Sequence, residues 1–191
     1  MNNIKVHILN CGEVGVDPAV PFRDVSKNPI AYTGIGRSKK LRIWLPVTAY
    51  LIEHPNGKIL IDTGWHSDVR TNPIKHLSPL LYMASKPKLL EEEAVNEQLK
   101  KLNIQTKDLD YVFVTHMDCD HSSGLGLVKD ANKIMISEEE MKAINKGNVR
   151  YAKRFWNGVN VESFKMDKLE YGPFNRGYDV FGDGTILLFC L

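Results

Sequence analysis

Cysteine is scarce in this 191-residue chain: there are three, an odd number scattered without regular spacing. That excludes a disulfide framework and leads us to expect a reducing, cytoplasmic setting. Long apolar runs are missing too, so a membrane-spanning helix is not expected, and the polar start Met1-Asn2-Asn3 has no signal-peptide core behind it. Neither sign of charge dominates. With 25 basic against 23 acidic residues the net charge is +2, too small a field to draw in a polyanion. The one notable basic cluster, Arg37-Ser38-Lys39-Lys40-Leu41-Arg42, reads as a solvated loop rather than a nucleic-acid patch. Repeats and low-complexity tracts are absent. Hydrophobic side chains make up 43% of the sequence, enough to bury one sizeable core, and we expect a single domain over residues 1–191.

Against that even background, one stretch concentrates chemistry: Thr115-His116-Met117-Asp118-Cys119-Asp120-His121. The preceding Tyr111 to Val114 is a short β-branched and aromatic run that predicts a buried strand, and Ser122-Ser123-Gly124 predicts a turn. In near-extended backbone, residues two apart point the same way. His116, Asp118 and Asp120 would then share one face, Met117 and Cys119 would face the other, and His121 would need the chain to curl. A surface loop with incidental histidines is the plainer reading. It leaves two carboxylates repelling each other directly after a buried strand unless a cation or solvent relieves them. Mixed imidazole and carboxylate donors suit zinc, iron or manganese better than calcium, which prefers oxygen alone.

Elsewhere, strand-like and helix-like segments alternate. Ile4 to Asn10 predicts a strand, and Leu41 to Ile52 with Lys58 to Ile61 predict a hairpin around Pro55-Asn56-Gly57, with Pro46 requiring a bulge or break. Asp17 to Lys40 is expected to be a loop, and Thr63 to Lys88 to be irregular, its Leu77, Leu80, Leu81 and Met83 either packing on the core or forming a substrate lip or subunit contact. Glu91 to Leu102 predicts an amphipathic helix. Lys133 to Ile136 predicts a strand, followed by a helix from the Ser137-x-x-Glu140 capping box to about Asn145. Asn160 to Met166 and Tyr178 to Leu191 complete the set as strands. Such alternation implies an α/β fold of sheets flanked by helices.

The stretch Leu109 to Gly124 resembles the metal-binding signature of the metallo-β-lactamase superfamily, His-x-His-x-Asp-His followed by glycine, with Asp118 at the place of the second histidine. Ile59-Leu60-Ile61-Asp62-Thr63-Gly64 resembles that family's strand ending in Asp-Thr-Gly, and Phe181-Gly182-Asp183-Gly184-Thr185-Ile186 resembles the hairpin before its next ligand motif. The combination is most similar to the N-acyl homoserine lactonase branch. The resemblance implies a four-layer αββα sandwich with two divalent transition metals, zinc, iron or manganese. It places His116 and Asp118 on the first and Asp120 and His121 on the second. It further implies a metal-bridging hydroxide as nucleophile and Asp120 as the proton shuttle to the leaving oxygen. The carboxylate at Asp118 is harder than imidazole and should favour iron or manganese. Asp62 and His66 are expected to line or support the site. The remaining histidines, His7, His54 and His76, are expected to be ordinary surface or core residues.

Family members draw three more ligands from sequence beyond the Asp183-Gly184 hairpin, and this chain ends at Leu191. The expectation is therefore a domain incomplete at its C-terminus, holding metal weakly, turning over little and associating into a homodimer or larger assembly through uncovered sheet surface. For the complete protein the resemblance implies a hydrolase opening a small-molecule lactone or ester. A phosphodiesterase or nuclease of the same superfamily is the alternative if the basic cluster lies beside the metals, and a non-catalytic fragment with a partial metal site is another.

Overall fold

The fold is described by a computed structural model covering residues 3–22, 28, 30–147, 150–171 and 173–189. Among the described residues, ten strands form two sheets. The larger has seven strands in the order β4-β1-β2-β3-β5-β6-β7 and the smaller three in the order β10-β9-β8. In the larger, β1 (Lys5–Val16), β2 (Ile43–His54) and β3 (Gly57–Ile61) form an antiparallel meander. From β3 onward, β5 (Tyr111–Phe113), β6 (Lys133–Ser137) and β7 (Val161–Phe164) run parallel.

Strand periodicity sorts the side chains onto two cores. Leu60, Val112, Val114, Ile134 and Ile136 face a helical layer with Leu9, Leu51, Val95 and Leu99, while Ile59, Phe113, Met135 and Phe164 face the smaller sheet with Met166 and Val180. Each fully buried aliphatic side chain contributes about 1.5–3 kcal/mol, so both faces of the parallel strands are held firmly. Helix α3 (Val95–Lys101) supplies part of the first layer, with α1 (Pro73–Leu77), α2 (Pro79–Ala84), α4 (Cys119–Ser122) and α5 (Glu138–Asn145) completing the helices. Helix, large sheet and small sheet are thus three of the four layers of the expected sandwich. No helix lies on the far side of the small sheet among the described residues.

Several local expectations need correction. The turn expected at Ser122-Ser123-Gly124 is helical, α4 running into a 3-10 segment at Ser123–Val128. The helix expected from Glu91 begins at Val95, because Glu92 adopts φ 67° and the Glu97 carboxylate accepts the Ala94 N–H at 3.0 Å. Pro46 stays within β2, and the bulge falls on its partner, where Asn10 pairs with Thr48 but Glu13 with Pro46. Gly12 takes the φ of +93° at that point. The segment from Thr63 to Lys88 is not irregular: it holds a 3-10 turn at Ser67–Arg70, α1, α2 and β4 (Lys86–Lys88). Leu77 is buried in the core. The single strand expected from Tyr178 is two antiparallel ones, β9 (Phe174–Asp179) and β10 (Leu187–Phe189); its last residues, Cys190 and Leu191, lie outside the described ones. Between them the Asp179 carboxylate accepts the N–H groups of Gly182 and Gly184, turning the chain. Strand β8 (Asp167–Tyr171), which pairs with β9, has no counterpart in the sequence reading because its side chains are mostly exposed and polar.

Candidate metal centre

The signature residues sit where the chain leaves the C-terminal end of β5, beside the end of its parallel neighbour β3. Crevices at such strand ends are where open α/β sheets place ligands. Asp62 N–H donates to the Phe113 carbonyl at 2.8 Å, Thr63 N–H to His121 O at 2.9 Å, and Gly124 N–H to Gly64 O at 3.0 Å. These bonds lace the Asp62-Thr63-Gly64 segment to the signature loop across a gap of about sixty residues. A Cβ on Gly124 would stand 2.4 Å from Thr63 O, which is why the crossing needs glycine there.

Asp118 is extended and the chain curls at Cys119 into α4, so Asp120 lies on the helix with His121 and not in the extended run expected for it. Met117 and Cys119 are buried while the His116 and Asp118 side chains keep partial access, as alternation predicts up to the point where the helix begins. Burial pushes the Cys119 thiol far up, which disfavours the thiolate a metal ligand would need.

Four donors then fall into two pairs. His116 Nε2 lies 3.4 Å from an Asp118 carboxylate oxygen, and His121 Nε2 lies 3.6 Å from an Asp120 oxygen. The two rings are neighbours, with centroids 4.0 Å apart and tilted by 44°. Tetrahedral ligands at about 2.1 Å from an ion stand about 3.4 Å from each other. Each pair therefore already has the separation of two donors sharing one cation, and the donor set fits the divalent metals the family uses.

Behind the donors, Asp62 is the organising group. Its carboxylate accepts the Thr115 N–H at 2.8 Å and the Thr115 hydroxyl, and it bonds His121 Nδ1 at 2.8 Å. A carboxylate on Nδ1 fixes the tautomer that leaves Nε2 with its lone pair directed at the site. Burial pulls His121 toward the neutral form, but Asp62 and Asp120 outweigh it and its pKa is raised. Asp62 holds φ 61°, a left-handed conformation uncommon outside glycine, so this placement is bought by the lacing around it. Burial also raises the Asp120 carboxyl, with Asp118 adding repulsion.

Two contacts have no precursor in the sequence pattern. Arg150, from the segment after α5, forks both oxygens of Asp118. Burial pushes the Asp118 carboxyl up, but hydrogen bonds from His116 and Arg150 prevail and bring it down to about 2. Glu140 was expected to close a capping box. Ser137 does accept the Glu140 N–H at 3.1 Å, yet the Glu140 carboxylate turns away to accept the Met117 N–H at 2.7 Å, pinning the signature loop. The Ser-x-x-Glu motif marks the helix start, but no local signal shows where its Glu is committed.

The other candidates are placed as follows. His66, expected to line the site, has its ring stacked on His76 at 4.8 Å, and its backbone N–H donates to Ser123 Oγ at 3.2 Å. His7 pairs with Glu53 at 2.8 Å, and His54 stacks on Phe181 at 4.5 Å. Arg37 pairs with Asp17 at 2.7 Å, and Arg42 donates to the carbonyls of Gly15 and Met83. These contacts tie the basic cluster to the end of β1. A cavity of about 400 Å³ beside the β1 bulge, lined by Asn10, Glu13, Thr48, Lys88 and Glu93, contains none of the signature residues.

Known proteins align with this architecture. The chain is 30% identical over 147 residues to N-acyl homoserine lactonase AttM of Azorhizobium caulinodans, covering 74% of this chain and 53% of that protein. It is 25% identical over 194 residues to a probable metallo-hydrolase of Mycobacterium tuberculosis, covering 97% of this chain and 54% of that protein. It thus spans about half the length of the curated relatives it matches. A solved N-acyl homoserine lactone hydrolase, with its product N-hexanoyl-L-homoserine bound at the catalytic metal center, superposes with a TM-score of 0.69 at 22% identity over 93% of this chain and 65% of that one, a likeness of fold. A family model described as the metallo-beta-lactamase superfamily matches residues 42–189, the span that carries the Asp-Thr-Gly segment and the paired donors, and this chain belongs to that superfamily.

Proposed function

We propose that this chain is the metal-binding part of a hydrolase that opens a lactone or ester, of the kind for which its N-acyl homoserine lactonase relatives are named. The observation that carries the reading is the pairing of His116 with Asp118 and of His121 with Asp120 at ligand-sharing distances. Those four residues would hold two divalent ions, and the Asp118 carboxylate favours iron or manganese relative to zinc. Bound ions of this class polarise a carbonyl oxygen and make water acidic enough to attack near neutral pH.

The chain's own residues then have distinct tasks. Asp62 fixes the His121 ring through Nδ1 so that Nε2 stays available. Thr115 holds Asp62 in turn, through both its N–H and its hydroxyl. Half-buried Asp120 has an affinity for protons above that of an ordinary aspartate, so it can accept a proton at a carboxylate oxygen and deliver it to the leaving alkoxide. Glu140 keeps the loop backbone in place at Met117.

The test is metal analysis by elemental mass spectrometry, joined to hydrolysis of N-hexanoyl homoserine lactone with added manganese or zinc. We expect up to two ions per chain and metal-dependent ring opening from a protein that also carries the further ligands, and weak metal binding with little turnover from these 191 residues alone. Asp120→Asn should cut turnover by about 10²–10⁴-fold while weakening metal binding far less, because an amide oxygen can ligate but cannot take up a proton. Near-normal rates in Asp120→Asn would remove Asp120 from the shuttle role, and no bound transition metal would remove the two-metal reading. Since two imidazoles and two carboxylates leave each ion short of protein ligands, metal binding without turnover would favour the second reading, a metal-holding module.

A further inference from the structure

Outside the signature, three donors converge among the described residues. One ring nitrogen of His66, one of His76 and a carboxylate oxygen of Asp68 lie within 4.8 Å of one another. The two imidazoles are stacked, with centroids 4.8 Å apart and planes 21° from parallel, so their edges are presented together. Asp68 faces both, 3.5 Å from His66 Nδ1 and 3.9 Å from His76 Nδ1. Both rings are half-buried, while Asp68 is exposed. The His76 nitrogen that faces Asp68 is Nδ1, and its Nε2 is buried with no hydrogen-bond partner among the described residues. Burial, with the neighbouring His66 second, pushes its pKa down to about 4, so the ring is neutral and its lone pair is available at physiological pH.

We infer that His66, Asp68 and His76 form a separate site for a zinc-class divalent ion, which clamps the loop after Asp62-Thr63-Gly64 to α1. Two imidazoles and a carboxylate are a borderline donor set that suits zinc or cobalt and leaves a fourth position to water. To form a tetrahedral shell, the present spread of 4.8 Å would have to close to about 3.4 Å by side-chain rotation. His66 Nδ1 now accepts the Asp68 N–H at 3.1 Å, and that exposed amide would turn to water. The site uses none of the paired donors at His116 to His121 and does not depend on the function proposed for them.

Zinc binding should be measured by equilibrium dialysis on the parent, on His76→Phe, on His116→Ala/His121→Ala and on the triple variant combining these changes. Phenylalanine keeps the ring packed against Phe155, which His76 stacks on at 5.4 Å, but offers no ligand. The expected result is one ion fewer in His76→Phe than in the parent, and an ion retained by His116→Ala/His121→Ala that the triple variant loses. Zinc should also raise the melting temperature of His116→Ala/His121→Ala and not that of the triple variant. Nitrogen-15 NMR of the parent's imidazoles decides the matter even if a variant fails to fold. Shifts of the His66 and His76 ring nitrogens on adding zinc support the site; unchanged resonances at saturating zinc overturn it and leave a ring stack only.

Discussion

Asp118 and Arg150 pose the sharpest question at the scale of single residues. A guanidinium that forks both carboxylate oxygens competes with a cation for the same lone pairs and repels it. Because the pair is partly solvated, the competition is modest, about 1 kcal/mol. Arg150→Ala should therefore tighten manganese binding by about 5–10-fold in a chelator competition assay. Weaker binding would instead make the fork a contact that positions Asp118 for the metal. Asp118→His tests the other half. Replacing a hard carboxylate by imidazole should move the preference from manganese toward zinc with the fold intact, as read by metal competition and circular dichroism. An unchanged preference would mean that Asp118 points away from the ion in the loaded protein.

The element that depends most on close packing is the crossing between the Asp62-Thr63-Gly64 segment and the α4 turn. Gly124→Ala places a methyl 2.4 Å from the Thr63 carbonyl oxygen, which is backbone and cannot swing aside. The crossing must open, at a cost of about 2–3 kcal/mol in urea unfolding. Because Thr63 also holds His121 O, at 2.9 Å from its N–H and 2.8 Å from its hydroxyl, metal affinity should fall with it. Gly126→Ala is the control. Its methyl would make only ordinary contact, 3.9 Å from His66 Nε2, and should change stability little. Equal losses in the two variants would show that the crossing is not the tight point.

For the whole molecule, the sheet facing the small sheet is covered over only part of its width. Val6 pairs with Ile52 and Ile8 with Tyr50, and the same rows continue to Ile59 and Ile61 in β3. Ile59 is buried beneath the small sheet, whereas Val6 is 59% and Ile8 73% exposed at the other end of these rows. An apolar strip of this kind favours association. Light scattering should show the chain moving toward a dimer or larger species as its concentration rises, and Ile8→Lys should shift it back toward the monomer. A parent that stays monomeric at high concentration would rule out that face as a contact.

What the sequence determined by itself is what lies along the chain: the candidate donors and their order from His116 to His121, the buried strand before them and its neighbours, and the helix capped by Ser137. Donor chemistry is covalent, and the alternation of Val112, Phe113 and Val114 between two cores follows from the strand's period of two. The tertiary structure decided the partners. The bond from Asp62 to His121 Nδ1, the fork of Arg150 on Asp118, the turn of Glu140 to Met117 and the meeting of His66 with His76 each join different elements or the loops between them. Parallel pairing of β3 with β5 brings the first of these together, yet it leaves no mark on the local pattern of either strand. Which nitrogen of a histidine faces a metal is set by the partner on its other nitrogen, so that choice is made only when the chain has folded.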